Sequence, residues 1–374
     1  MRAAEISLPA IRHNVRTIRE RANGAALIAV VKANGYGHGA AAAAQAAVDA
    51  GAAIIGVADL EEALALREAG IDAPVLCWLH GPAVDFAAGV EADIEIGINS
   101  LAQLESLASA AEQVGVTASI HLKVDTGLSR NGAAPDEWAA LFARMAELSA
   151  AGRIRVRGLF SHLANAGEES DLAQAEQFDR AIAALAERGV RPEYLHLSAS
   201  AATFSRPQLR YTAVRVGMAI YGLSPFAGTS SAELGLVPAM TLTSQLVALR
   251  RVSAGTGVSY GYNHVCETDT TLGLVPIGYA DGMPRALNGA GASVTVHGVR
   301  CPIVGRIGMD QFIVDLGAVA DRAAIGDAVV LFGDPESGAP AIEEWAELMR
   351  TINYEIVVGI GARVVRIPVE EELA

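Results

Sequence analysis

Cysteine is scarce in this chain, and long apolar runs are missing. The three cysteines, Cys77, Cys266 and Cys301, are spaced for neither a disulfide framework nor a zinc site. No segment has the roughly 18 uninterrupted apolar residues that a membrane-spanning helix needs. The opening residues, Met1–Glu5, lack the apolar run of a secretory signal. We therefore expect a protein of the reducing cytoplasm without a membrane partner.

Basic blocks are also missing, and the charge balance is acidic. The 374 residues include 28 lysines and arginines against 42 aspartates and glutamates, a formal net charge of −14 at pH 7. Such a field repels phosphate backbones and anionic lipids, so no nucleic-acid partner is expected. Paired acids at metal-ligand spacing are absent, and no metal is predicted. A small anionic ligand would need positive charge inside a pocket.

Over the first 225 residues, short apolar runs alternate with helical patterns. This alternation favours parallel strand pairing, and continuous apolar strands imply burial on both faces. Eight such runs predict an α/β fold with an N-terminal (β/α)8 barrel at residues 1–232. An open, doubly wound sheet is the alternative, although no Gly-x-Gly-x-x-Gly turn follows the first run. The runs are Ala26–Ala33, Ile54–Asp59, Pro74–Leu79, Ile94–Asn99, Ser119–Thr126, Arg155–His162, Tyr194–Ser200 and Ala213–Gly222.

The pattern changes after about Val237, where glycines interrupt the apolar runs and only one later helix, Ile342–Met349, is evident. This predicts a separate, mainly β domain over residues 233–374, with Gly222–Pro238 as the junction. Its predicted strands are Thr241–Val252, Thr270–Ala280, Ser293–Val299, Cys301–Val304, Gln311–Leu316 and Asp327–Phe332.

Polar residues stand at the carboxyl ends of the barrel runs, where active sites of such barrels lie. Lys32 ends an apolar stretch and precedes three alternate glycines and a tyrosine. Burial lowers the pKa of a lysine toward the neutral amine that reacts with carbonyl compounds. A lysine that simply reaches solvent is the alternative. The cation-rich set favours a phosphate-bearing cofactor: Lys32, Lys123 and Asp125, His162, Ser198 and Ser200, and Arg215.

The segment Ala29–Gly39 resembles the pyridoxal-phosphate attachment motif of the alanine racemase family, which are fold-type III pyridoxal-phosphate enzymes. The resemblance implies a barrel followed by a β domain, the cofactor pyridoxal 5'-phosphate, and interconversion of L- and D-alanine, with D-alanine supplied to peptidoglycan. Similar motifs recur in the family's order at Val124–Arg130, Arg215–Gly222, Val258–Gly261, Ile277–Gly282, Cys301–Gln311 and Ile352–Glu355.

Two residues match the family's catalytic bases. Lys32 matches the lysine that holds the cofactor and acts on the D-enantiomer, and Tyr260 matches the opposing base for the L-enantiomer. In the family these groups meet across a subunit interface, so the resemblance implies a homodimer with shared active sites. His162 resembles the histidine that contacts this tyrosine and, with Arg215, would polarise it.

Arg215 matches the arginine that faces the pyridine nitrogen of the cofactor. A guanidinium does not give up its proton, so that nitrogen stays unprotonated and the ring is a weaker electron sink. Weak carbanion stabilisation disfavours transamination and requires two well-placed bases, which suits racemisation. The remaining matches to cofactor-binding residues are Tyr36, His162, Ser200, Gly217, Met218 and Tyr354.

The substrate side of the resemblance centres on Arg130, which matches the arginine for the substrate carboxylate, assisted by the backbone of Met309. Lys123 matches a lysine that is often carbamylated and then gives that arginine an anionic partner. Unmodified lysine is the competing possibility. The matches to the substrate entrance are Tyr279, Arg285, Arg306, Ile352 and Tyr354.

Some positions depart from the commoner family pattern. Ala199 stands where many members have asparagine, Gly167 replaces an entrance aspartate, and Gly308 replaces a cysteine beside Met309. Because Gly308 would widen the pocket wall, a racemase for serine or for several amino acids stays an alternative.

Other functions on the same barrel are less consistent with the sequence. A non-enzymatic cofactor-binding protein would lack the β domain. A decarboxylase of this fold would place an acid where Arg215 stands. A lyase resembling D-threonine aldolase would need a divalent metal, for which no ligand cluster is evident.

Overall fold

The computed structural model describes residues 1–370; the last four residues of the predicted second domain, 371–374, lie outside the described residues. The strands are β1 Ala3–Ser7, β2 Ala26–Val30, β3 Ile54–Val57, β4 Val75–Cys77, β5 Ile94–Ile98, β6 Ala118–Lys123, β7 Ile154–Phe160, β8 Tyr194–His196, β9 Ala213–Val216, β10 Met240–Gln245, β11 Ala248–Val252, β12 Gly257–Val258, β13 His264–Val265, β14 Thr270–Val275, β15 Ser293–Val296, β16 Val299–Val304, β17 Phe312–Asp315, β18 Ala328–Phe332 and β19 Val365–Val369.

The helices cover much of the first half of the chain and return near its end. They are α1 Leu8–Ala22, α2 Lys32–Tyr36, α3 Ala40–Asp49, α4 Leu60–Glu68, α5 Phe86–Glu91, α6 Leu101–Val114, α7 Trp138–Ala150, α8 Glu168–Glu187, α9 Ser200–Ser205, α10 Ile342–Met349 and α11 Asn353–Gly359. In residues 1–370, no helix is both long and apolar enough to cross a bilayer.

Strands β2 to β9 close into a barrel in chain order, and every neighbouring pair is parallel. The predicted (β/α)8 barrel is confirmed. Strands β3 and β4 are buried throughout, as their continuous apolar sequences predict, and β5 is buried throughout although it contains Glu95. Polar N-caps shape the turns that leave these strands: Asp59 accepts a hydrogen bond from the amide of Glu62, and Ser100 from that of Gln103.

Several barrel strands end earlier than predicted. Lys32 belongs to α2, His162 lies two residues beyond β7, and Ser200 opens α9 instead of ending a strand. The last part of the predicted run Ala213–Gly222 is a 3-10 turn, Met218–Tyr221. The apolar pattern continues past each strand because the loop residues also pack into the barrel mouth. Hydrophobic periodicity therefore does not show where the hydrogen bonding between strands ends.

The second unit is built on a nine-stranded sheet in the order β11-β14-β17-β16-β15-β18-β10-β1-β19. The predicted mainly β domain is confirmed, but the sequence pattern missed α11 and β19. Strand β1 lies in this sheet, antiparallel to β10 and parallel to β19. A division at residue 232 therefore leaves one strand of the second sheet in the first domain. The predicted strand Thr241–Val252 is two strands, β10 and β11, at separate places in the sheet.

Candidate active site

A cavity of about 1280 Å³ opens at the carboxyl ends of the barrel strands. Most of the site residues predicted from the barrel half of the sequence line this cavity. Two predicted residues from the second domain also line it: Tyr354 of α11 and Ile352, which directly precedes α11. The predicted residues that line the cavity are Lys32, Tyr36, Lys123, Arg130, His162, Ser200, Arg215, Gly217, Met218, Ile352 and Tyr354.

Lys32 follows β2 at a sharp change of backbone direction. The amide of Val31 still donates to Gly56 of β3, at 2.8 Å. The residues after Lys32 then take left-handed conformations, with φ of 53° at Ala33 and at Asn34. The amide of Ala33 donates to the carboxylate of Glu62 at 2.6 Å, which holds the turn in place. Non-glycine residues pay a strain cost for such angles, and this strain is concentrated beside the lysine.

Two glycines allow close approaches that the site needs. A Cβ at Gly37 would fall 2.4 Å from the carbonyl oxygen of Val357, so glycine lets the Lys32 loop pack on α11. A Cβ at Gly217 would fall 2.3 Å from the hydroxyl oxygen of Tyr36. The Tyr36 hydroxyl therefore rests directly on the backbone after β9, beside the start of the Met218–Tyr221 turn. The Gly-rich motif is thus a packing requirement as well as a turn.

Both lysines of the chain lie in this cavity. Burial lowers the pKa of Lys32, and the charge of Arg130 lowers it further. Burial also lowers the pKa of Lys123 to about 8, with contributions from Arg130 and Arg215. Across residues 1–370, no carboxylate oxygen lies within 4 Å of the charged groups of Lys32, Lys123, Arg130 or Arg215. The cavity therefore holds concentrated positive charge without direct acid partners.

Arg215 is buried at the inner end of the cavity. One of its terminal nitrogens donates to the carbonyls of Ser161 and Leu197, at 2.6 and 3.1 Å, and to Nδ1 of His162 at 3.2 Å. Because Nδ1 of His162 accepts, the ring carries its proton on Nε2. Burial and the charge of Arg215 lower the pKa of His162 to about 3, so the imidazole is neutral near pH 7.

Arg130 sits at the end of a loop that folds back on β6. Asp125 organises this loop, since its Oδ1 accepts from the amides of Gly127 and Ser129, at 2.9 and 3.2 Å. The amide of Asp125 donates to Ala133 at 3.0 Å, which returns the chain after the loop. The Arg130 side chain is exposed at the cavity edge, where an anion arriving from solvent would meet it.

Apart from Ile352 and Tyr354, the site residues predicted from the β domain lie elsewhere, in an exposed group that we call the tyrosine patch. Tyr260, Tyr279 and Met309 are 72%, 42% and 54% exposed. Backbone contacts tie their turns together: the amide of Ala280 donates to Met309 at 2.9 Å, and the hydroxyl of Ser259 to Arg306 at 2.8 Å. The tyrosine patch comprises Tyr260, Tyr262, Tyr279, Arg285, Arg306 and Met309; none of them lines the cavity of the same chain.

The cavity residues fit pyridoxal phosphate. Lys32 offers an amine whose pKa is lowered. The common phosphate site of such barrels lies in the loops after strands seven and eight, which here are the loops after β8 and β9. These loops contain the buried Ser200 and the backbone at Gly217, and Tyr36 lies beside them. The unpaired cations give the cavity the positive charge that an anionic cofactor and a substrate carboxylate need. In residues 1–370, no three His, Cys, Asp or Glu side chains come together as a metal site requires.

Comparisons with known proteins agree along nearly the whole chain. Family models of the alanine racemase N-terminal and C-terminal domains match residues 6–225 and 239–368. The alanine racemase of Mycolicibacterium smegmatis is 49% identical over 364 residues, covering 96% of this chain and 93% of that protein. The one from Mycobacterium tuberculosis is 47% identical over 366 residues, covering 97% and 94%. The chain belongs to the alanine racemase family.

Solved structures give the same result for the fold. The alanine racemase from the D-cycloserine producing Streptomyces lavendulae superposes with a TM-score of 0.94 at 45% identity, covering 99% of this chain and 97% of that one. The alanine racemase from Streptomyces coelicolor A3(2) also gives 0.94, at 44% identity, with coverage of 99% and 98%. The two family domains leave residues 226–238 between them, within the junction predicted from sequence.

Two features of this member of the family were missed by sequence reasoning. Glu62, which holds the Lys32 turn, carried no signal because an acid in the first turn of a helix is common. A buried chain of Glu95, His121 and His196 behind Arg215 was also missed. The available signal was one histidine within each of two apolar barrel strands, and nothing in the sequence indicates that the two side chains meet.

Proposed function

We propose that this protein interconverts L-alanine and D-alanine with pyridoxal 5'-phosphate as cofactor. The observation that carries the proposal is the position of Lys32, an amine with lowered pKa on a strained turn, inside a cation-rich cavity of a chain of this family. Its relatives at 47–49% identity over 96–97% of the chain are named alanine racemases. The β domain argues against a non-enzymatic cofactor carrier.

The cofactor would be held by the residues that fit it in the cavity. Lys32 would attach it, Tyr36, Ser200 and the backbone of Gly217 and Met218 would bind its phosphate, and Arg215 would face its ring nitrogen. His162 and Tyr354 would complete the pocket. When bound, pyridoxal phosphate withdraws electrons from the substrate's Cα and so makes its hydrogen acidic.

The chain's own residues then have to move that proton. Lys32 Nζ, favoured as a neutral amine by burial, takes the proton from the face of Cα presented by D-alanine. The oxygen of Tyr260, in the form that has given up its own proton, takes it from the opposite face, presented by L-alanine, and so becomes the phenol. Each group returns a proton after the other has acted, so the configuration inverts. Arg130 and the backbone of Met309 hold the substrate carboxylate.

The position of Tyr260 supports a site shared between two chains. Tyr260 is 72% exposed and lies outside the cavity that contains Lys32. We therefore propose a homodimer in which each cavity is completed by Tyr260 of the partner subunit. The exposed entrance residues Tyr279, Arg285 and Arg306 would then border the cavity of the other subunit, with Ile352 and Tyr354 contributed by the same chain as Lys32.

Lys123 suits carbamylation, and we include it in the proposal. A lysine reacts with carbon dioxide as the neutral amine, and the pKa of Lys123 is lowered to about 8. The carbamate would give Arg130 an anionic neighbour in a cavity that otherwise holds several cations.

We further propose that the enzyme works in the cytoplasm and supplies D-alanine for peptidoglycan.

Chiral chromatography after incubation with single enantiomers tests the reaction. The purified protein, supplied with pyridoxal phosphate, should convert L-alanine to a near-equal mixture of enantiomers. L-serine and L-lysine should react with lower kcat/KM. A higher kcat/KM for serine would replace the alanine assignment by a serine or broader-specificity racemase, which the glycine at position 308 leaves room for. No inversion of any of the three would refute the proposed reaction.

A further inference from the structure

A buried line of polar side chains crosses the barrel behind Arg215. Arg215 Nη1 lies 2.9 Å from Nδ1 of His196, and Nε2 of His196 lies 2.8 Å from Nδ1 of His121. Nε2 of His121 lies 2.7 Å from a carboxylate oxygen of Glu95. All four residues are 6% exposed or less. The interior of such barrels is ordinarily filled by branched apolar side chains, so this line departs from the usual packing.

The two ends of the line determine where every proton sits. A guanidinium only donates, so Nδ1 of His196 must accept and its Nε2 must carry the hydrogen. That hydrogen is donated to Nδ1 of His121, whose proton is therefore on Nε2. At the far end a carboxylate only accepts, and it receives the Nε2 hydrogen of His121. All three hydrogen bonds run in one direction, from Arg215 to Glu95, with both imidazoles neutral.

The surroundings hold this arrangement rigidly. A Cβ at Gly158 would fall 2.1 Å from Nδ1 of His121, so the glycine on β7 opens the space that the imidazole fills. The ring of His196 stacks on Phe160, with centroids 4.8 Å apart and planes 5° from parallel. The second oxygen of Glu95 accepts from Arg157 at 3.1 Å, and Arg157 also binds the carboxylate of Glu193 near the surface. Burial and the charge of Arg215 hold the pKa of His196 well below its usual range.

We propose that Glu95, His121 and His196 form a hydrogen-bond relay that fixes the orientation of the Arg215 guanidinium toward the cofactor pocket. Glu95 and His121 are positioning residues, since they reach the site only through His196 and Arg215. A buried polar network is stabilising only when all its members are satisfied, so losing the carboxylate disturbs the line as far as Arg215. The role of Arg215 opposite the cofactor rests on the proposed function; the relay itself does not.

Histidine-selective 15N NMR of the purified full-length protein, supplied with pyridoxal phosphate, tests the relay directly. The chain has eight histidines, and spectra of His121→Asn and His196→Asn variants assign the two signals. We expect both rings to be neutral, with the proton on Nε2. A proton on Nδ1 of either ring would overturn the relay, and this measurement needs no variant at position 95.

Glu95→Gln tests how much the carboxylate contributes to the line. Arg215 can only donate, so both rings should keep their protons on Nε2, but the neutral amide oxygen is a weaker acceptor than the carboxylate. We therefore expect the 15N signal of His121 Nε2 to shift toward that of a weaker hydrogen bond, with a smaller shift at His196. Glu193→Gln is the matched control: it removes the other carboxylate on Arg157 but has no contact with the histidines, and neither signal should move. Unchanged signals in Glu95→Gln, or equal shifts in the control, would contradict the relay.

Kinetics give a second readout. Glu95→Gln should lower kcat for L-alanine about tenfold, as loss of an orienting partner does at other sites, and leave KM within about twofold because Arg130 is not in the line. Glu95→Asp should recover part of kcat. Loss of thermal stability in Glu95→Gln with kcat unchanged would make the relay purely structural. If the wild-type protein racemises nothing, the proposed function fails, and the tautomers still decide the relay.

Discussion

The barrel mouth and the tyrosine patch are opposite kinds of surface. At the mouth, Lys123 and Arg215 are 7% and 6% exposed, and burial lowers the pKa of both side chains. In the patch, Tyr260 and Met309 are mostly exposed. The buried groups of the mouth are already desolvated and have shifted pKa values, whereas the patch is open to water.

This difference is informative about assembly. Backbone strain is found on both sides, at Ala33 and Asn34 beside Lys32 and at Ser259 beside Tyr260, where φ is 61°. Strain held in place by surrounding contacts is common where a side chain must be presented in one position. The proposed dimer would bring the two regions together, with Lys32 from one chain and Tyr260 from the other.

The largest effect is expected from Lys32→Ala. Without the amine the enzyme loses both the cofactor attachment and one base, so racemisation from either enantiomer should fall about a thousandfold or more. The readout is chiral chromatography, supported by borohydride reduction of the wild-type protein and mass mapping. Since the chain has two lysines, the map only has to distinguish the peptide of Lys32 from that of Lys123. Label on the Lys123 peptide alone would contradict the assignment of the barrel half.

Tyr260→Phe should produce a directional loss. Exchange of the α-hydrogen with deuterium should fall about a hundredfold or more for L-alanine and much less for D-alanine, because only one base is removed. Tyr262→Phe is the matched control, since Tyr262 is 69% exposed in the same turn and has no assigned role. Equal losses for the two enantiomers would break the two-base assignment.

Mixing the two inactive variants tests whether the two regions come together between chains. A dimer of one Lys32→Ala chain and one Tyr260→Phe chain has one cavity with both bases intact if the sites are shared. Random exchange should then restore about a quarter of wild-type activity. If both bases acted within one chain, mixing would restore nothing, and the patch would have to be explained in another way.

The two regions also differ in what the sequence could predict. The barrel was predictable because strand burial produces continuous apolar runs. The place of Lys32 at the barrel mouth was predictable because Lys32 ends such a run and the loop after it needs glycine for its close packing on α11. The patch residues were found only through the family resemblance, since exposed tyrosines and arginines in a β domain carry no signal of their own.

Two structural features depend on tertiary register and had no local signature. Residues 3–7 fall within the predicted barrel domain and no strand is predicted there, but they form β1, which pairs between β10 and β19, more than 230 residues away. Glu95, His121 and His196 stand on β5, β6 and β8, and only the closing of the barrel brings them into line. Sequence periodicity depends on residues that are close together along the chain, so it does not reveal pairs that only the fold brings together.

The smallest effect is expected at Lys123, where the prediction tests whether burial at the mouth lowers the pKa of a side chain enough to change its chemistry. The folded-state pKa is about 8, below the ordinary value of 10.5, so the neutral amine becomes abundant as pH rises through 8. Carbamylation should follow the same rise, whereas an ordinary lysine would remain protonated until near pH 10. In 13C-bicarbonate, 13C NMR should show a carbamate signal that persists in Lys32→Ala and disappears in Lys123→Met.

Lys123→Met should raise KM for alanine about tenfold, because Arg130 loses its anionic neighbour. A carbamate signal retained in Lys123→Met would assign it elsewhere, and an unchanged KM would mean that Arg130 needs no such neighbour.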